Sequence, residues 1–68
     1  MSIETLKHEI EETINEFYEN IDEYSASEFV REYRSEINML LWYAFTKGIA
    51  YEDIEAIADE CDVPLSFG

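Results

Sequence analysis

The sequence predicts an all-α fold, a three-helix domain with the second helix in the middle. Three observations predict it. Apolar residues recur at spacings of three and four, the period of a helix face. Glycine and proline are confined to Gly48, Pro64 and Gly68, so neither breaks a helix before position 48. The chain has 68 residues and is 47% hydrophobic, which fits one globular domain, 1–68, with no room for a second.

The first helix is expected at about 3–23. Ile3, Leu6, Ile10, Ile14, Phe17, Ile21 and Tyr24 share one face, and Ser2 stands where an N-cap belongs. A break is expected at Ser25. Ser25 and Glu28 have the spacing of a capping box, and Tyr24 and Phe29 that of a hydrophobic staple. The competing reading is one long helix running through Ser25, because serine in a helix costs only a few tenths of a kcal/mol.

The second helix is expected at about 26–47, with Val30, Tyr33, Ile37, Leu40, Leu41, Ala44 and Phe45 as its main face. Lys47 suits the negative end of the helix dipole, and Gly48 is the expected residue just past it. Met39-Leu40-Leu41-Trp42-Tyr43-Ala44-Phe45 is apolar all round, which predicts burial on more than one side. The third helix is expected at about 51–62. Ile54, Ile57, Ala58 and Cys61 face inward, with Ile49 packing below. Pro64 holds Val63 out of the helix, and Leu65 and Phe67 are expected to fold back.

The surplus of apolar surface on the second helix predicts a homodimer. Met39, Trp42 and Tyr43 lie off its main face, and a symmetric partner covers them. Met39, Leu40, Leu41, Trp42, Tyr43 and Phe45 are thus the expected core and dimer residues.

Charge bounds the function. Seventeen acids face four bases, a formal net charge of −13. This argues against direct contact with nucleic-acid backbones and against anionic lipid. The charge is segregated: net −7 over 1–23, zero over 24–48 and −6 over 49–68. Glu9, Glu12, Glu16, Glu19 and Glu23 form one carboxylate row spanning about 21 Å, and Glu52, Glu55, Asp59 and Asp62 a second of about 15 Å. Like charges four apart cost roughly 0.2–0.5 kcal/mol per pair. A sequence that repeats them has a solvated face or a surface for a basic partner. Carboxylates at regular spacing can occupy the Arg and Lys sites that a protein keeps for phosphates.

The inventory offers no catalytic constellation, and neither an enzyme nor a cofactor is expected. His8, the one histidine, reads as a surface residue; Cys61, the one cysteine, reads as a small buried apolar group. No metal site is expected, since paired histidines, paired cysteines and calcium-loop spacing are all missing. Glu32 and Glu36 could pair for acid–base work, but with Arg31 and Arg34 nearby they read as an exposed face. The longest apolar run is seven residues, against the roughly 20 that a spanning helix needs. The acidic N-terminus does not look like a signal peptide, so a soluble, cytoplasmic chain is expected.

Two resemblances add to this. Residues 47–63, Lys-Gly-Ile-Ala-Tyr-Glu-Asp-Ile-Glu-Ala-Ile-Ala-Asp-Glu-Cys-Asp-Val, resemble the first helix of a helix-turn-helix motif, with Ile54, Ala58 and Val63 where such motifs bury residues. No recognition helix follows and the segment is acidic, so this resemblance implies shared packing, not DNA binding. The whole chain is similar in size and acidity to the small acidic helical proteins of bacteriophages and mobile elements. That resemblance implies a regulator that occupies the basic nucleic-acid-binding site of a host protein by DNA mimicry. The alternative is a helical dimerisation or adaptor module whose acidity only keeps it soluble. In a mimic, the two rows share one continuous surface; in an adaptor they can point apart.

Overall fold

The computed structural model describes residues 1–65 and consists of three helices, α1 (Ile3–Glu19), α2 (Ala26–Thr46) and α3 (Tyr51–Glu60), with no strand among the described residues. A 3₁₀ turn, Ile21–Glu23, joins α1 to α2. The middle helix packs against both others. Their shared core is Leu6 and Ile10 of α1, Ile37, Leu41 and Ala44 of α2, and Ile54, Ile57 and Ala58 of α3, closed by Ile49 and Val63. No helix is long and apolar enough to cross a membrane among the described residues.

The starts of α1 and α2 follow from their caps. The Ser2 hydroxyl oxygen accepts the Thr5 N–H at 3.1 Å. The Ser25 oxygen accepts the Glu28 N–H at 3.3 Å, so α1 and α2 are separate helices. Only half of the capping box forms. The Glu28 carboxylate accepts the Ser25 hydroxyl at 2.9 Å, in place of the Ser25 backbone N–H. The staple is present, with the Tyr24 and Phe29 rings 6.1 Å apart. Ala50 precedes α3 and gives it no side-chain cap; Glu52 and Asp53 in the first turn suit the dipole instead.

The first helix is shorter than its apolar period predicts. It stops at Glu19: the Asn20 backbone leaves the helical region, at φ −109° and ψ 21°, and its side chain donates to the Glu16 carbonyl at 2.9 Å, one of the carbonyls at the helix end. The tighter turn that follows swings Ile21 outward, 46% exposed, although it falls on the apolar face of an unbroken helix. Tyr24 still packs inward, against Phe17 at 5.6 Å.

The main face of α2 is narrower than predicted. Tyr33, Ile37, Leu40, Leu41 and Ala44 reach the core, while Val30 and Phe45 are each 45% exposed. The expected burial of the 39–45 stretch on more than one side does not occur within the chain, because α1 and α3 both pack against the Ile37–Leu41–Ala44 side. Leu65 folds back against the core. Phe67 lies outside the described residues.

α2 and α3 end in the same device, a Schellman motif. After α2, Ile49 N–H donates to Ala44 C=O and Gly48 N–H to Phe45 C=O, both at 3.2 Å. After α3, Val63 N–H donates to Ala58 C=O at 3.0 Å and Asp62 N–H to Asp59 C=O at 3.1 Å. Each motif needs one residue at positive φ. Gly48 supplies it in the first at +98°, and Asp62 in the second at +55°. The predicted third helix therefore ends two residues early, and Asp62 lies beyond it. Aspartate tolerates this region better than most residues, but glycine does so without a Cβ. Asp62→Gly is expected to stabilise the fold by about 1 kcal/mol, a rise in melting temperature of roughly 4–8 °C. Asp62→Asn, which removes the same charge but keeps the Cβ, separates backbone relief from charge relief in a thermal melt. An Asn variant as stable as the Gly variant would assign the gain to charge.

Candidate functional site

Three surfaces were predicted from the sequence, and packing distributes them around α2. The first-helix row stays exposed at Glu9, Glu12, Glu16 and Glu19. Glu23 is exposed too, but it belongs to the 3₁₀ turn, so the helical part of the row spans about 15 Å rather than 21 Å. His8 Nε2 lies 2.9 Å from Glu12 Oε1, an exposed pair that is ionic only when the imidazole is protonated. The third-helix row loses Asp62 to the turn and keeps Glu52, Glu55 and Asp59, about 10 Å long and exposed.

An open groove runs between α1 and α2, lined by Thr13, Glu16, Phe17 and Asn20 on one side and Tyr24, Glu32 and Glu36 on the other. One member of the first-helix row, Glu16, thus joins the two α2 carboxylates on one flank. Arg31 offers Glu32 only an exposed contact of 3.8 Å. By sequence Glu32 and Glu36 belong to a plain exposed face; the helix crossing puts Glu16 at the same groove. Phe17 and Tyr24 are its aromatic lining. Phe17 meets Tyr24, Phe29 and Tyr33 at centroid distances of 5.6, 5.7 and 5.9 Å. Phe29 and Tyr33, four apart on α2, stack on each other at 6.0 Å. That four-residue spacing was visible in the sequence; the pairing with Phe17 was not.

The third-helix row borders a different part of α2. Asp59 and Asp62 line a groove with Arg34 and Pro64. Arg34 stands two residues from both Glu32 and Glu36, about 160° away around the helix. The two carboxylate rows therefore flank opposite sides of α2 and share no continuous surface. Asn38 fixes the segment after α3 on the Arg34 side, its Nδ2 donating to Arg34 C=O and Pro64 C=O, each at 3.0 Å.

The predicted core and dimer residues divide into two sets. Leu41 is fully buried and Leu40 half-buried, while Met39, Trp42, Tyr43 and Phe45 are 63, 54, 48 and 45% exposed. Phe45 leans on Tyr51 of α3, edge to face at 6.0 Å. Lys47 Nζ lies 5.3 Å from the Tyr43 ring centroid, a cation–π contact at the end of α2.

Two groups have shifted proton affinities. Burial pushes the Tyr33 hydroxyl up, helped by Cys61, Tyr18 and Asp62. Burial, with Glu60 nearby, also pushes the Cys61 thiol up. Both shifts favour the neutral form, so Cys61 is a poor nucleophile and packs as a half-buried apolar group. Ile54, Ala58 and Val63 are buried. Among the described residues, no group of three or more His, Cys, Asp or Glu is placed to hold a metal ion. Comparison with protein-family models, with curated proteins and with solved structures finds no match to this chain.

Proposed function

We propose that the chain is a non-enzymatic binding module that presents its α1–α2 acidic flank to the basic surface of another protein. The supporting observation is the groove in which Glu16 of α1 and Glu32 and Glu36 of α2 stand around one cleft. Carboxylates from two rigid helices offer Arg and Lys side chains several acceptors at fixed spacing, as a phosphate backbone does. This is DNA mimicry through one flank, in keeping with a phage or mobile-element regulator of a host nucleic-acid-binding protein. The shared surface expected of a mimic is absent, because the rows lie on opposite sides of α2, so the proposal rests on one flank alone. Action in the cytoplasm belongs to the same proposal and suits the free thiol of Cys61. The adaptor reading keeps support from one observation, the exposed apolar face of α2.

The test is retention of DNA-binding proteins from a lysate on the immobilised chain. Competing duplex DNA is expected to release them. The variant carrying Glu16→Gln, Glu32→Gln and Glu36→Gln is expected to bind more weakly, mainly through a slower on-rate, and with a shallower salt dependence. Retention that neither duplex DNA nor the triple variant alters would leave the flank as a solvated face.

A further inference from the structure

We infer that the outer face of α2 is a homodimer seam, on which a second copy of the chain lies antiparallel across Met39, Trp42 and Tyr43 about a two-fold axis. Within the chain these three large side chains are about half exposed or more and lie within five residues of one another. They occupy the side of α2 turned away from Ile37, Leu41 and Ala44, so neither α1 nor α3 can cover them.

Charge selects the occupant. Two copies, each at −13, repel wherever their acidic flanks meet. From 37 to 46, however, α2 contains no charged residue. This is where like-charged copies can approach without stacking carboxylates, and where a basic partner gains nothing from its charge. A two-fold seam also needs a self-complementary patch. Met39 and Trp42, three residues apart, meet that need: an axis passing between them sets each Trp42 ring beside the Met39 sulfur of the other copy, a favourable contact.

Charge also selects the antiparallel order. Glu28, Glu32 and Glu36, with Arg31 and Arg34 among them, lie in the first half of α2 and Lys47 at its end. Antiparallel copies bring Glu32 of one toward Lys47 of the other, whereas parallel copies set Lys47 against Lys47. The axis that relates antiparallel helices keeps each flank on its own side. Both Glu16–Glu32–Glu36 flanks therefore face the same side of the dimer, and neither row alone has that extent. The inference goes beyond the proposed function and does not depend on it.

Sedimentation equilibrium of the full chain at tens of micromolar is expected to show a dimer. Its association should tighten with salt, which screens the repulsion between copies. Trp42 is the sole tryptophan, and its emission should move to the blue as concentration rises through the association range. Met39→Glu and Trp42→Ala, both at exposed positions, should each weaken association by roughly thirtyfold or more. Circular dichroism should show their helicity unchanged. Carbodiimide coupling should join Lys47 of one copy to Glu32 or Glu36 of the other. Within a chain those residues are about 16 Å or more apart along α2 and cannot be joined. A monomer at tens of micromolar would overturn the seam, as would a dimer indifferent to both substitutions. Coupling of Lys47 to Lys47 by an amine-reactive linker of about 4 Å or less would overturn the antiparallel order, in which the two Lys47 backbones lie about 20 Å apart along α2.

Discussion

Leu41→Ala is expected to cost about 2–5 kcal/mol and to leave much of the chain unfolded at 37 °C. Leu41 is fully buried on the helix that packs against both others. Its neighbours in the core come from all three helices, so no single helix can shift to fill the space left behind. A domain of this size has roughly 3–10 kcal/mol of stability in all, at about 0.05–0.15 kcal/mol per residue. One cavity at this position therefore removes a large share of it. Urea unfolding followed by circular dichroism measures the loss. The adjacent Trp42→Ala is the control, since that side chain is 54% exposed and its removal opens no cavity. Equal losses at 41 and 42 in monomeric protein would contradict the one-sided burial of α2.

Gly48→Ala is expected to destabilise by about 1–2 kcal/mol, with the melting temperature falling roughly 4–8 °C for each kcal/mol. A Cβ at Gly48 meets no atom within 4 Å, so no clash contributes. The cost is entirely conformational, because φ is +98° and L-residues are strained there. The residue closes the Schellman motif that turns the chain from α2 into α3 and places Ile49 in the core. Gly48→Asn should fall between Gly and Ala, since asparagine visits left-handed conformations more readily. An Ala variant as stable as the parent would mean that the turn relaxes to negative φ without disturbing Ile49.

The two Schellman motifs bear on how a sequence signals its own structure. The end of α2 was legible because glycine is the usual residue there. The end of α3 was not, because aspartate in an acidic run reads as one more member of a helical row. Only the hydrogen bonds from Asp62 and Val63 back to Asp59 and Ala58 identify it as the turn residue. Asn20 is a similar case. Apolar spacing carries the predicted first helix to about 23, whereas the backbone leaves the helical region at Asn20 and the helix ends at Glu19.

What the sequence determined by itself is local or periodic. Helix count and order, the starts at Ser2 and Ser25, the stop at Gly48 and the inner face of α3 follow from caps and from spacings of three and four, which act within a turn or two of the chain. Net charge and its division between the outer segments follow from composition alone. The tertiary structure decided the relations between helices. It turned Val30, Phe45 and Ile21 outward, left the second side of the 39–45 stretch uncovered, and placed Glu16 at the same groove as Glu32 and Glu36. It also set the two carboxylate rows on opposite sides of α2. The physical reason is that a helical period fixes which residues share a face but not how far around α2 each neighbour sits. That angle is set by how Leu6, Ile10, Ile54 and Ile57 pack into the Ile37–Leu41–Ala44 side, a contact between residues distant in sequence.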